Sequence, residues 1–213
     1  MKILGVGLSK TGTTSLHHAL EILGFNCLHY DRRRLNEVLY GTTSHPNFRV
    51  YDDIDAVTDL PSAYFYRELL EAYPDSKAIL TLRRTDDWWN SIKYHTNTRF
   101  PISETGSLKE KLSSRLGLDN WIWSEDEHNL FRRKLRNCVY GSTIATEFLY
   151  KKKYNEHNER VISEIPSHRL LVLDITTGDG WEKLCPFLEI KTPSTPFPHA
   201  FKTPKANQPN QPI

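Results

Sequence analysis

The segment Gly7-Leu8-Ser9-Lys10-Thr11-Gly12-Thr13-Thr14-Ser15 narrows the possible folds more than any other part of the chain. A short apolar run, residues 3–6, leads into it. Behind it Leu16, Ala19, Leu20 and Leu23 recur at helical spacing until Gly24 closes the helix. A glycine turn between a strand and a helix leaves backbone N–H groups free at the helix start, where the helix dipole also favours negative charge. Gly12 lets the backbone approach an anion closely, and Lys10 adds a mobile positive charge. Ser9, Thr11, Thr13, Thr14 and Ser15 complete the candidate binding set with hydroxyl groups.

The rest of the chain continues the strand–helix alternation. Residues 26–30 read as a second strand and 48–51 as a third. Pro61 suits the first position of a helix with Phe65, Leu69, Leu70 and Tyr73 on one face, ended by Pro74. Residues 78–82 form a strand, and Thr85 or Asp86 caps the helix carrying Trp88, Trp89 and Ile92. Leu170–Leu173 is a further buried strand, followed by a helix at Trp181–Leu188. This pattern predicts an α/β fold of three layers, a mainly parallel sheet flanked by helices. At 213 residues the chain has room for one domain, residues 1–199. The irregular stretch 96–129, with Trp121 and Trp123, is expected to form a lid. Residues 200–213 follow a proline-rich run and are expected to be an extended or disordered tail.

Composition excludes several classes of function. A net charge of +2 is too small to argue for a nucleic-acid partner, though it suits an anion held in a local basic pocket. Cys27, Cys138 and Cys185 are odd in number and form no CxxC, which argues against a disulfide framework and for a reducing compartment. The histidines show no metal-ligand spacing, so no metal is expected. No apolar run reaches the length of a membrane span, and no leader-like segment follows Met1; a cytoplasmic protein is the expectation.

Three nucleotide-binding patterns compete for the loop. The triphosphatase pattern GxxxxGK[ST] fits the spacing of Gly7 and Gly12, but Thr13 stands where its lysine belongs, and the lysine lies ahead at position 10. Asp174, at the end of an apolar strand, resembles the magnesium-holding acid of such enzymes. A dinucleotide-binding turn finds Gly5 and Gly7 but meets Lys10 at its third glycine. In that reading Asp31 would imitate the ribose-binding acid and Arg32, Arg33 and Arg34 a phosphate site. The third pattern, Lys-[Ser/Thr]-Gly-[Thr/Ser]-[Thr/Ser], matches residues 10–14 throughout.

That third pattern resembles the 5′-phosphosulfate loop of sulfotransferases, and a second motif strengthens the resemblance. Arg83 ends a strand and Ser91 follows eight residues later, the spacing with which sulfotransferases hold a 3′-phosphate. Thr58-Asp59-Leu60-Pro61, Gly180-Trp181-Glu182-Lys183-Leu184-Cys185 and Pro198-His199 match the branch that includes a schistosome drug-activating enzyme. The resemblance implies a P-loop-type fold and an enzyme using 3′-phosphoadenosine 5′-phosphosulfate. The sulfuryl group would pass in line to a hydroxyl or amine of a small-molecule acceptor without a metal. It also implies Asp59 as the base, with His17, Asp31 and Glu37 in reserve, and Lys10 as the cation meeting the leaving oxygen. Ser15 stands where many relatives place an adenine-stacking Trp, so Tyr154 is the candidate platform. Phe201 replaces an expected Asn after the Pro-His pair. The alternatives are a nucleotide kinase or triphosphatase with a degenerate loop, and a catalytically silent nucleotide-binding module.

Overall fold

A computed structural model of the chain describes residues 1–99 and 123–200. The stretches 100–122 and 201–213 lie outside the described residues, and with them most of the expected lid, Trp121, the tail and Phe201.

Five parallel strands form one sheet. They are β1 (Ile3–Gly5), β2 (Cys27–His29), β3 (Ala56–Thr58), β4 (Lys77–Thr81) and β5 (Leu170–Leu173), in the order β2-β3-β1-β4-β5. Seven α-helices accompany them among the described residues: α1 (Thr13–Ile22), α2 (Asn36–Tyr40), α3 (Tyr66–Ala72), α4 (Thr85–Tyr94), α5 (Trp123–Tyr140), α6 (Glu147–Glu164) and α7 (Trp181–Leu188). The fold is the expected three-layer α/β arrangement. Alternate residues of the strands point to opposite faces. Ile3, Ala56 and Ile79 pack with Leu16, Leu20, Trp181 and Leu184 from α1 and α7. Leu4, Val57, Ala78 and Leu80 pack with Tyr66, Leu69 and Val161 from α3 and α6. A third, aromatic cluster joins α4, α5 and α6 through Trp88, Trp89, Tyr140, Tyr150 and Tyr154.

The strand order positions the site. β1 is central, in register with Ala56 of β3 on one side and Lys77 of β4 on the other. Whatever leaves the carboxyl ends of β3 and β4 therefore flanks the loop that leaves β1.

Three local expectations are corrected. Residues 48–51 form no strand: Tyr51 is fully buried, its N–H donates to Tyr73 Oη (2.9 Å) and its hydroxyl donates to Asp31 (3.1 Å). Those bonds pin a turn, and the third strand is Ala56–Thr58. Pro61 opens a turn, with Ala63 N–H donating to Asp59 O (3.0 Å) and Tyr64 N–H to Pro61 O (3.0 Å), and the helix starts only at Tyr66. Neither Thr85 nor Asp86 caps α4. Arg84 holds the cap position, Thr85 Oγ1 donates to Asn155 (2.9 Å), and Asp86 pairs with Lys151 (2.8 Å).

Candidate functional site

The loop between β1 and α1 is fastened from β4 and α4. A Cβ on Gly7 would lie 2.1 Å from Thr81 Oγ1 and 2.6 Å from the Thr81 carbonyl oxygen, so only glycine lets the two segments come so close. Thr11, fully buried, donates its hydroxyl to Leu8 O (2.7 Å) and lies 2.6 Å from Thr81 Oγ1. The Trp88 indole N–H donates to Ser9 O (2.9 Å). Gly12 takes a φ of 103°, a left-handed conformation, and accepts the first bond of α1 from Leu16 N–H (3.0 Å). The N–H groups of Thr13, Thr14 and Ser15 are thus left at the helix start without an intrahelical acceptor. Ser15 Oγ accepts from Ala200 N–H (3.1 Å), so Ala200 lies at this end of α1.

Asp59 faces the loop from the end of β3. Its carboxylate takes the Ser9 hydroxyl and Leu60 N–H (2.7 Å) on Oδ1 and the Thr13 hydroxyl (2.9 Å) on Oδ2. His29 Nε2 stands 3.6 Å from Oδ2. The residue is buried at 6% exposure and has a φ of 72°. Asp174, by contrast, ends the edge strand β5, and its carboxylate accepts Thr176 N–H (2.9 Å) and Thr177 N–H (3.2 Å). It caps a short 3₁₀ turn, the structural place such an acid has in a sulfotransferase-like reading; the acid that meets the loop is Asp59. Asp31 accepts Arg33 N–H (2.9 Å), the Arg34 N–H and the Tyr51 hydroxyl. These local bonds leave it no ribose-binding role.

Arg83 leaves the carboxyl end of β4 on the loop's other side. The Tyr154 hydroxyl accepts Arg83 N–H (3.0 Å) and donates to Arg83 O (2.7 Å). The Tyr154 ring, 1% exposed, stacks on Trp88 at 4.2 Å with 9° between planes. Tyr154 therefore holds the Arg83 backbone inside the core and is no adenine platform. Arg83 Nε is buried and has no hydrogen-bond partner among the described residues. A buried guanidinium N–H without an acceptor is costly, which marks a place where an anion fits. Ser91 is buried on α4, eight residues on.

The charges around the loop act on one another. Lys10, at a φ of 74°, has its pKa lowered by burial first; Asp59 opposes this, and Arg99 and Arg83 add to it. His95 begins a π turn, His95–Arg99, that continues α4. Burial, then Lys10 and Arg136, press its pKa down to about 4 despite Asp59. Tyr30, after β2, is pushed up to about 12, by burial first and then by Asp59, against Arg132, Arg136 and Arg32. Lys10, Arg83, Arg99, Arg132 and Arg136 thus all act on groups around the loop, with Asp59 opposing them. Sequence reasoning missed His95, Tyr30 and His29. His95 could have been found four residues after Ser91, one helical turn along α4. Of the reserve bases, His17 packs on His29 with ring centroids 5.2 Å apart, and Glu37 is exposed on α2.

A sulfotransferase-domain family profile matches residues 2–205. The chain belongs to the sulfotransferase-domain family. Among curated proteins, "Ava biosynthesis cluster protein M" of Aspergillus versicolor is 30% identical over 218 residues, covering 93% of this chain and 80% of that protein. In this sulfotransferase-family chain the glycine loop, Asp59 and Arg83 come from the three central strands and meet at their carboxyl ends. No helix among the described residues is long and apolar enough to cross a membrane.

Proposed function

We propose that the chain transfers a sulfuryl group from 3′-phosphoadenosine 5′-phosphosulfate to a hydroxyl or amine of a small-molecule acceptor. The observation that carries this reading is the buried, unpartnered Arg83 Nε beside a loop whose basic residue, Lys10, it electrostatically senses. Loop residues Ser9, Lys10, Thr11, Gly12, Thr13, Thr14 and Ser15 would hold the 5′-phosphosulfate. Arg83 and Ser91 would hold the 3′-phosphate. A guanidinium fork suits a dianionic phosphate better than an ammonium does. The donor supplies an activated sulfuryl group with a phosphate as leaving group. Lys10 counters charge growing on the leaving oxygen, and the N–H groups at the start of α1 do the same from fixed positions. Asp59 receives the acceptor's proton on its carboxylate, which the Thr13 hydroxyl orients through Oδ2.

A nucleotide kinase reading keeps one observation in its favour, the bond between Asp59 and Thr13 at the strand beside β1. Calorimetry separates the two. Adenosine 3′,5′-bisphosphate is expected to bind without metal, more tightly than ATP, and Arg83→Ala is expected to weaken it by about 30- to 1,000-fold. ATP binding that is tighter and needs magnesium overturns the sulfotransfer reading.

A further inference from the structure

His29 makes three contacts that the proposed reaction does not use. It is the last residue of β2, with its side chain 22% exposed. Nδ1 lies 2.9 Å from Thr58 Oγ1, and Nε2 lies 3.2 Å from Thr14 Oγ1 and 3.6 Å from Asp59 Oδ2. Thr58 is fully buried on β3 and Thr14 half-buried on the first turn of α1. The His17 ring packs against the opposite side, with His18 and Glu21 behind it. One imidazole therefore ties the end of β2 to β3 and to the donor loop.

The tautomer decides what Thr14 can do. With the proton on Nδ1, Nε2 accepts from Thr14, and the Thr14 proton points away from any ligand. With the proton on Nε2, His29 donates to the Thr14 oxygen, Nδ1 accepts the Thr58 hydroxyl, and the Thr14 proton is free to donate. The second arrangement also turns the Nε2–H toward the Asp59 carboxylate, which favours it electrostatically. We propose that His29 is a positioning residue of the donor site, whose Nε2–H holds the Thr14 oxygen so that the Thr14 proton faces the bound 5′-phosphate. This rests on the reading of residues 9–15 as the donor loop.

Two variants separate the Nε2 contact from the Nδ1 contact. The amide of His29→Gln reaches the Nε2 position, whereas that of His29→Asn reaches only the Nδ1 position and keeps the bond to Thr58. The readout is adenosine 3′,5′-bisphosphate affinity by calorimetry on the full chain. His29→Asn and Thr14→Val are each expected to weaken binding by about 10-fold, the loss of one hydrogen bond to a charged group. His29→Gln should stay within about 3-fold of the unmodified protein, and the double variant His29→Asn/Thr14→Val should bind no worse than Thr14→Val alone. A purely structural histidine predicts no such split. Unchanged binding in His29→Asn, losses that multiply in the double variant, or a His29→Gln as weak as His29→Asn each overturn the positioning role while the donor site stands. Absence of bisphosphate binding by the unmodified protein overturns the donor-loop reading and this role with it.

Discussion

The imidazole of His157 is held on α6 by one bond, Nε2–H donating to Val6 O (2.8 Å). Its Nδ1 is buried without a partner and the residue is 2% exposed. A proton on Nδ1 would be a buried charge with no acceptor, and burial holds the pKa down to about 4 against an ordinary 6.5. Between those values the unfolded chain binds a proton that the folded chain refuses. Stability is therefore full above about pH 6.5 and falls as pH drops toward 4, by at most about 3 kcal/mol from this residue. His157→Gln keeps an N–H for Val6 and removes the titration. Its melting temperature is expected to fall less steeply with acid than that of the unmodified protein, with His95 supplying part of the remaining slope. Equal slopes in thermal melts across that range would show that His157 does not govern the acid response. None of this is visible in the sequence, where His157 is one of nine histidines.

At the scale of elements, the loop between β1 and α1 depends on how near β4 comes. The clash at Gly7 involves the Thr81 side chain at 2.1 Å, but also its backbone oxygen at 2.6 Å and nitrogen at 2.8 Å. Gly7→Ala is expected to destabilise the fold by about 2–4 kcal/mol in denaturant unfolding and to weaken bisphosphate binding in parallel. Adding Thr81→Ala should not restore either, because the backbone contacts remain; recovery in the double variant would place the constraint in the side chain alone. The loop and its flanking elements were legible because glycine, hydroxyl and aliphatic residues stand at fixed offsets in a contiguous stretch. β5 and α7 were legible for the same reason, and their ends fall where the residue pattern places them. α6 went unread. Its buried stripe is Tyr150, Tyr154, His157, Asn158 and Val161, at helical spacing but built largely from polar aromatic and amide groups, whose partners lie elsewhere in the chain: Trp88 and Arg83 for Tyr154, Tyr140 and Ser142 for Tyr150, Val6 for His157. The start of α3 was misplaced because Pro61 suits the first turn of a helix and a tight turn equally well, and backbone bonds to Asp59 O and Pro61 O select the turn.

Across the whole molecule, residues 195–200 close back on the candidate site. Trp181 Nε1–H donates to Thr195 O (2.8 Å), the Phe197 ring meets Trp181 at 4.8 Å, and Ala200 N–H reaches Ser15. Residues 195–200 thus run from the start of α7 to the start of α1. Phe197→Ala is expected to cost about 1–2 kcal/mol in denaturant unfolding, below the full value for a core aromatic because Phe197 is half-buried. It should also weaken bisphosphate binding by a few-fold through Ser15. A loss of stability with unaltered binding would confine the segment to a packing role.

The sequence by itself determined that a glycine- and hydroxyl-rich loop joins a strand to a helix, that its lysine precedes the second glycine, and that an arginine and a serine follow at sulfotransferase spacing. These are local properties: free N–H groups, hydroxyl groups and helix starts arise within a few residues of one another. Only the tertiary structure decided how Asp59, singled out by resemblance, meets the loop, which histidine contacts it, and that Tyr154 bonds the Arg83 backbone. Asp59 follows β3, which the residue pattern does not mark, whereas Asp174 follows a strand that it does mark. Strand order places one beside β1 and the other at the sheet's edge, and that order is set by packing on both faces of the sheet.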